Sequence, residues 1–265
     1  MALLGFIGTG NMGGALARAA ALSVPAEEIC LCNRTPQKAA ALAEELGAKT
    51  AGSRETAADS RYLFLGVKPQ GMAALLEEIR PELEARRDRF LLVTMAAGLS
   101  IERLQELAGG AYPVIRIMPN TPVSVGEGVI LMSCSPQVME EEAEEFCRIL
   151  SGAGSMYRME EKLIDAGSAV SGCGPAFVDM FIDAMADGGV LCGLPRALAV
   201  QLAAQTAAGS AKLLLESGKT PAQLKEAVCS PGGTTIEGVR KLEERAMRSA
   251  VMEAVIASWE KNSRL

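Results

Sequence analysis

Histidine is absent from all 265 residues of the chain. Its absence removes the side chain most used as a general base near neutral pH, the commonest zinc ligand and every triad built on imidazole. The seven cysteines (Cys30, Cys32, Cys134, Cys147, Cys173, Cys192, Cys229) are odd in number, include no CxxC pair and mostly sit in apolar runs. They read as reduced core residues of a cytoplasmic protein, and no metal site is expected. Positive charge is also short, with 26 Lys and Arg against 32 Asp and Glu and a net charge of -6. That balance disfavours nucleic acid or a membrane surface as partner, so an anionic ligand must be held by a local site. The apolar run Ala2–Ile7 is too short for a membrane span and no basic segment precedes it, so neither a signal peptide nor a transmembrane helix is expected. Internal repeats, low-complexity tracts and disordered linkers are missing too.

What is present is 49% hydrophobic residues, ample for one or two packed domains. Apolar runs and helical stretches alternate. Strands are expected over Ala2–Ile7, 28–32, 62–67, 90–95, 114–118 and 129–133, with helices over 11–21, Pro36–Leu46 and 72–84 and a short helix after residue 95. This βαβ alternation predicts an α/β domain, a Rossmann fold with a mostly parallel, doubly wound sheet. Beyond about residue 160 the strand signal stops, and the runs 175–192 and Arg196–Ser217 are rich in Ala, Leu and Met. An all-helical domain follows, punctuated at 193–195, 217–221 and 230–233 before a final pair of helices. The domain break falls between residues 151 and 163, giving a dinucleotide-binding domain over 1–157 and a helical domain over 158–265. The two long helices are apolar almost all round, so a homo-oligomer should bury them between subunits.

Gly8-Thr9-Gly10-Asn11-Met12-Gly13 is a GxGxxG that directly follows Ile7 at the end of the first strand and opens the first helix. Gly8 permits the tight turn, Gly10 lets a pyrophosphate approach the backbone and Gly13 allows close helix packing, while the helix start offers free N–H groups. Twenty residues after Gly13 the acid that would hold the ribose 2'-hydroxyl of NAD is missing, and the chain reads Asn33-Arg34-Thr35. Arg34 can pair with a 2'-phosphate that a carboxylate would repel, and Asn33 and Thr35 can add neutral hydrogen bonds. The cofactor is therefore expected to be NADP(H), with NAD(H) used at lower efficiency. Val67-Lys68-Pro69-Gln70, Ala96-Ala97-Gly98 and the 116–122 segment with Asn120 end three further strands, where open α/β sheets bind ligands. They are expected to line the nicotinamide half. In the helical domain, Ser230-Pro231-Gly232-Gly233-Thr234-Thr235 precedes a helix, and its exposed N–H groups suit a small carboxylate.

As a set these residues resemble the pyrroline-5-carboxylate reductase family along nearly the whole chain. The resemblance rests on Phe6 to Met12, Asn33 to Thr35, Val67 to Gln70, Met95 to Gly98, Arg116 to Pro122, Ser171-Gly172-Cys173-Gly174-Pro175-Ala176 and Ser230 to Thr235, the last two being the more diagnostic. It implies reduction of the cyclic imine of 1-pyrroline-5-carboxylate to L-proline with NAD(P)H, the last step of proline biosynthesis. It further implies an intertwined homodimer through the helical domain, in some members assembled into decamers. By the same resemblance Thr235 hydrogen-bonds the ring nitrogen as the catalytic residue. Ser230 and the amides near Gly232, Gly233 and Thr234 hold the substrate carboxylate, and Lys68 to Gln70, Ala96 to Gly98 and Asn120 surround the cofactor. Cys173 departs from the serine of the family's SGSGP.

Reduction of an imine does not need histidine. The imine can arrive protonated, so a neutral hydroxyl can orient the nitrogen while positioning supplies on the order of 7 kcal/mol or more. Two other readings share parts of this pattern. A β-hydroxyacid dehydrogenase or related imine reductase would place a lysine in the interdomain helix, where 168–175 has none. A non-catalytic NADP-binding sensor would have no use for the intact 230–235 loop.

Overall fold

The computed structural model describes residues 2–262. The chain divides into two compact units, one holding residues 2–172 and 259–262 and the other residues 173–258. Residues 263–265 of the expected helical domain lie outside the described residues.

The first unit is built on one eight-stranded sheet of β1 (Ala2–Ile7), β2 (Ile29–Cys32), β3 (Lys49–Thr50), β4 (Ser60–Leu65), β5 (Leu91–Thr94), β6 (Val114–Pro119), β7 (Gly128–Cys134) and β8 (Gly154–Arg158). Their order across the sheet is β3-β2-β1-β4-β5-β6-β7-β8. β1 to β6 run parallel, β7 turns back antiparallel to β6, and β8 follows β7 in parallel. The inner strands are near-continuous apolar runs because helices cover both faces. Leu4, Phe6, Phe64, Ile117 and Met132 join α1 (Asn11–Ala20), α2 (Pro36–Leu46) and α6 (Glu140–Ile149) on one face, with the Phe6 and Phe64 rings stacked at 4.2 Å. On the other face Ile7, Leu63, Leu65 and Leu92 pack with α3 (Ser53–Asp59), α4 (Pro69–Ala85) and α5 (Ile101–Ala108). The strand order reverses between β1 and β4, which opens a crevice at their carboxyl ends.

The doubly wound sheet is the expected one, but several elements carry no periodicity that announces them. β3 is two exposed residues, and α3 buries only Thr56 and Ala57. The inner face of α6 includes Glu142, and β8 has no buried residue. β4 also ends earlier than expected: Gly66 leaves the ladder, and α4 starts at Pro69 rather than residue 72.

After α7 (Ile164–Ser171) come α8 (Gly174–Leu191), α9 (Arg196–Ser217), α10 (Pro221–Ala227), α11 (Thr234–Glu244) and α12 (Met247–Asn262). α8 and α9 pack on one another around Ala186, Ala199 and Ala203, and Arg196 bonds to both Asp183 and Asp187. Most other apolar side chains here, Met180, Leu191, Leu215 and Met252 among them, are exposed. Contrary to expectation, the run Glu161–Leu191 is long and apolar enough to cross a membrane by length and composition alone. The cysteine set is also less uniform than expected: Cys30 and Cys32 are buried, Cys192 is exposed and the other four are intermediate.

Candidate functional site

Five neighbouring parallel strands, β2, β1, β4, β5 and β6, bring their carboxyl ends to one rim of the first unit. The expected dinucleotide residues lie at the end of β1, on the loops that follow these strands and in the first turns of α1 and α4. At the centre, Gly8 adopts φ +106°, and a Cβ there would stand 2.5 Å from the Gly66 carbonyl oxygen. A Cβ on Gly66 would in turn overlap the Gly8 carbonyl oxygen, as would one on Gly13. Gly8 N donates to the Cys32 carbonyl and Gly66 N to the Ile7 carbonyl, both at 2.8 Å, so the two turns are pinned to their strands. The motif reading missed Gly66. Its only sequence signal is a glycine closing an apolar strand.

Gly10 differs from these three, because a Cβ there would meet no atom within 4 Å. It caps α1 without a side chain, and the first turn of α1 carries no acid. Since the first amides of a helix have no acceptor within it, α1 presents donors and the positive end of its dipole to open space. An anion approaching the backbone fits this cradle.

Beside it, Asn33 Nδ2 donates to Thr9 Oγ1 at 3.0 Å, and Asn33 Oδ1 accepts from Thr35 N at 3.1 Å. Asn33 therefore ties the β2 loop to the glycine turn. Arg34 is left exposed, with no partner among the described residues, and the first turn of α2 has no acid. Across the switch point, exposed Lys68 caps α4 and Pro69 opens its first turn, while Gly98 takes φ +71° after Ala96 and Ala97. Asn120 is buried, and its carboxamide bonds to backbone at both ends: Oδ1 accepts from Val129 N at 2.8 Å and Nδ2 donates to the Ser171 carbonyl at 2.9 Å. Burial raises the Cys30 and Cys32 thiols above their usual range, so β2 offers no thiolate nucleophile near neutral pH.

The 230–235 loop lies in the second unit and connects α10 to α11. Gly233 N donates to the Ser230 carbonyl at 3.0 Å, and Gly232 takes φ +66°, so the loop turns tightly into α11. A Cβ on Gly233 would overlap the Ser230 hydroxyl. Gly233 caps α11 without a side-chain bond, and the one acid of the first turn, Glu237, accepts from Arg240 at 3.1 Å. Ser230, Thr234 and Thr235 are exposed. Three hydroxyl groups and free amides at a helix start suit a carboxylate and one further hydrogen bond.

Residues 161–265 match the family model described as pyrroline-5-carboxylate reductase dimerisation, and residues 3–98 match that of the coenzyme F420-dependent NADP oxidoreductases. Pyrroline-5-carboxylate reductase of Escherichia coli K12 is 42% identical over 265 residues, covering 99% of this chain and 97% of its own. Among solved structures, a pyrroline-5-carboxylate reductase from Coxiella burnetii superposes with a TM-score of 0.92 at 28% identity, covering 99% of this chain and 98% of its own. Pyrroline carboxylate reductase of Plasmodium falciparum, solved with NADP bound, gives a TM-score of 0.84 at 32% identity and covers 98% and 96%.

Proposed function

The chain belongs to the pyrroline-5-carboxylate reductase family, and from that premise we propose how its own residues divide the reduction of the cyclic imine of 1-pyrroline-5-carboxylate to L-proline. The enzyme is an NADP(H)-dependent oxidoreductase of proline biosynthesis. The dinucleotide supplies the hydride.

In this reading Ile7 and the Gly8 to Gly13 turn, with the first amides of α1, take the pyrophosphate. Arg34 pairs with the 2'-phosphate, the Thr35 hydroxyl adds a bond, and Asn33 holds that loop to Thr9. Val67 to Gln70 and Ala96 to Gly98 line the nicotinamide half. Residues 1–157 thus carry the cofactor, and 158–265 carry the substrate and self-association. There the amides of Gly232, Gly233 and Thr234, with the Ser230 hydroxyl, hold the carboxylate. Thr235 accepts from the N–H of the protonated imine and orients it, and that proton stays on the nitrogen of the amine product. The observation that carries the assignment is a pair of helix starts, on α1 and α11, each capped by a glycine without a side-chain bond.

The chain self-associates through its helical part. The finer reading is a homodimer on which decamers can be built, with exposed Met180, Leu191 and Leu215 supporting burial against a second copy. The run 161–191 is then covered by protein rather than lipid. With its net charge of -6, the chain is read as a cytoplasmic enzyme without nucleic-acid or membrane partners.

The test is oxidation of NADPH by pyrroline-5-carboxylate with L-proline as product, repeated with NADH. Faster use of NADPH is the expected result, and a protein that binds NADPH yet consumes none would overturn the substrate assignment. Arg34→Ala should weaken NADPH binding about tenfold or more, from the loss of about 1.5 to 3 kcal/mol of charged hydrogen bonding, and leave NADH binding unchanged. Equal losses for both dinucleotides would remove Arg34 from the 2'-phosphate. For Thr235→Ala turnover should fall at least about tenfold with NADPH affinity unaltered, and turnover at the parent level would withdraw Thr235 from its role.

A further inference from the structure

Beside β7 and β8, which are not among the five strands of the cofactor rim, the first unit carries an open cleft of about 750 Å³. It runs from the first turns of α5 to the ends of β7 and β8 and the segments that follow them. None of its lining residues is among those expected to meet the dinucleotide or the substrate. Its size suits a small organic molecule. Ser133 lines the cleft, is only 5% exposed, and its hydroxyl has no partner among the described residues. Buried polar groups are nearly all bonded to protein, water or a ligand, so this hydroxyl points to an occupant of the cleft. Arg116 stands opposite Ser133 on β6, but its charge is taken by Glu161 at 3.0 Å and Asp165 at 3.2 Å.

The charge left open in the cleft is negative. Glu102 is exposed and unpaired among the described residues. Glu161 spends Oε1 on Ile101 N at 2.7 Å and on Arg116, while its Oε2 takes no bond there. Glu161 thus lies between Glu102, next to Ile101 in the chain, and Ser133, across the ladder from Arg116. Gln105 spends its amide group on the Tyr112 carbonyl at 2.6 Å and on Gln137 Oε1 at 3.3 Å, which leaves its own carbonyl oxygen as a further acceptor. The cation of the lining, Arg158, is bonded to Glu140, and Lys162 holds Glu160 at 2.6 Å. Among the described residues no group of acids or thiols is placed to hold a metal ion, so an inorganic cation does not fit. We infer that the cleft is a binding site for a small aliphatic amine in its protonated form. Its N–H groups donate to Glu102, Glu161 and Ser133, and its carbon chain lies on Ile101 and Met159.

The test titrates the full-length protein with 1,4-diaminobutane by calorimetry, with 1,4-butanediol as the uncharged counterpart. Saturable binding of the diamine at one site per chain is expected, with none of the diol and no change when NADPH is saturating. Glu102→Gln removes a charge that no described residue uses, and Ser133→Ala removes a hydroxyl that bonds to none, so both variants should keep the parental thermal unfolding and NADPH affinity. Each should bind the diamine at least about tenfold more weakly, the loss of one charged hydrogen bond. No saturable binding of the diamine would overturn the inference, as would equal binding of the diol or parental affinity in both variants. Displacement of the diamine by NADPH would put it at the cofactor rim and overturn its assignment to this cleft.

Discussion

Gly66→Ala is expected to lower the unfolding free energy of the first unit by about 3 kcal/mol and to weaken NADPH binding at least about a hundredfold. The added methyl group has no flexible side chain to push aside. It overlaps the Gly8 carbonyl oxygen and approaches the Ile7 carbonyl oxygen at 3.4 Å, while both backbone turns are held by 2.8 Å bonds to the carbonyls that end the neighbouring strands. Relief therefore requires β1 and β4 to part at the crevice. Overpacking of a close-packed interior costs about 1 to 3 kcal/mol, and backbone on both sides puts this case at the upper end. The displaced segment is the turn that presents the α1 amides, which is why affinity should fall further than stability alone would suggest. Gly52→Ala is the control, since a Cβ there meets nothing within 4 Å. Urea unfolding and NADPH titration of both variants check the expectation. Parental values for Gly66→Ala would mean that the β1–β4 junction is soft.

The second large effect lies at Glu142, on the inner face of α6. Its carboxylate is only 1% exposed, accepts two bonds from Arg89 at 2.8 Å and accepts from Met139 N at 2.9 Å. The hydrogen bond from Arg89 holds its pKa below the usual carboxylate range, against the opposing effect of burial. A depressed folded-state pKa contributes stability that is present above the unfolded-state value and is lost as pH falls through the folded one. Glu142→Gln should therefore cost about 1.5 to 3 kcal/mol at neutral pH, the range for hydrogen bonds to a charged group. The gap from the parent should narrow below about pH 4, the ordinary glutamate range. Urea unfolding at neutral and acid pH tests this, and a gap independent of pH would exclude the ionised carboxylate as its source. Tyr62 donates to Glu145 Oε2 at 2.7 Å beside this site, and burial with that carboxylate pushes its hydroxyl far above the usual value, so it remains a neutral donor throughout.

The parts of this molecule that can be read from its sequence are those whose requirement is local. Gly8, Gly10 and Gly13 are spaced by one turn and one helix start, and Arg34 stands where an acid would otherwise be, so both features are legible within a few residues. Apolar runs announce β1, β2 and β5 because both faces of those strands are covered. Where the partner is remote, the signal vanishes. Gly66 needs Gly8 across the sheet to have meaning. α6 hides because one residue of its buried face is a glutamate, matched by an arginine 53 positions away. Asn120 sits in a motif that suggests a ligand, and its carbonyl partner Ser171 lies 51 residues further on. β8, with no buried residue, has neither the alternation nor the apolar run that marks a strand.

The core of the α8–α9 pair is made of three alanines, and α10, α11 and α12 have no buried residue at all. So little enclosed apolar material is too small a reservoir to offset the ordering of its backbone. The chain self-associates through this part, and that association adds free energy that depends on concentration by mass action. Dilution acts on it as a denaturant does. A substitution on the outward face of α8 or α9 then shifts the concentration at which the enzyme exists before it shifts any property of a single chain.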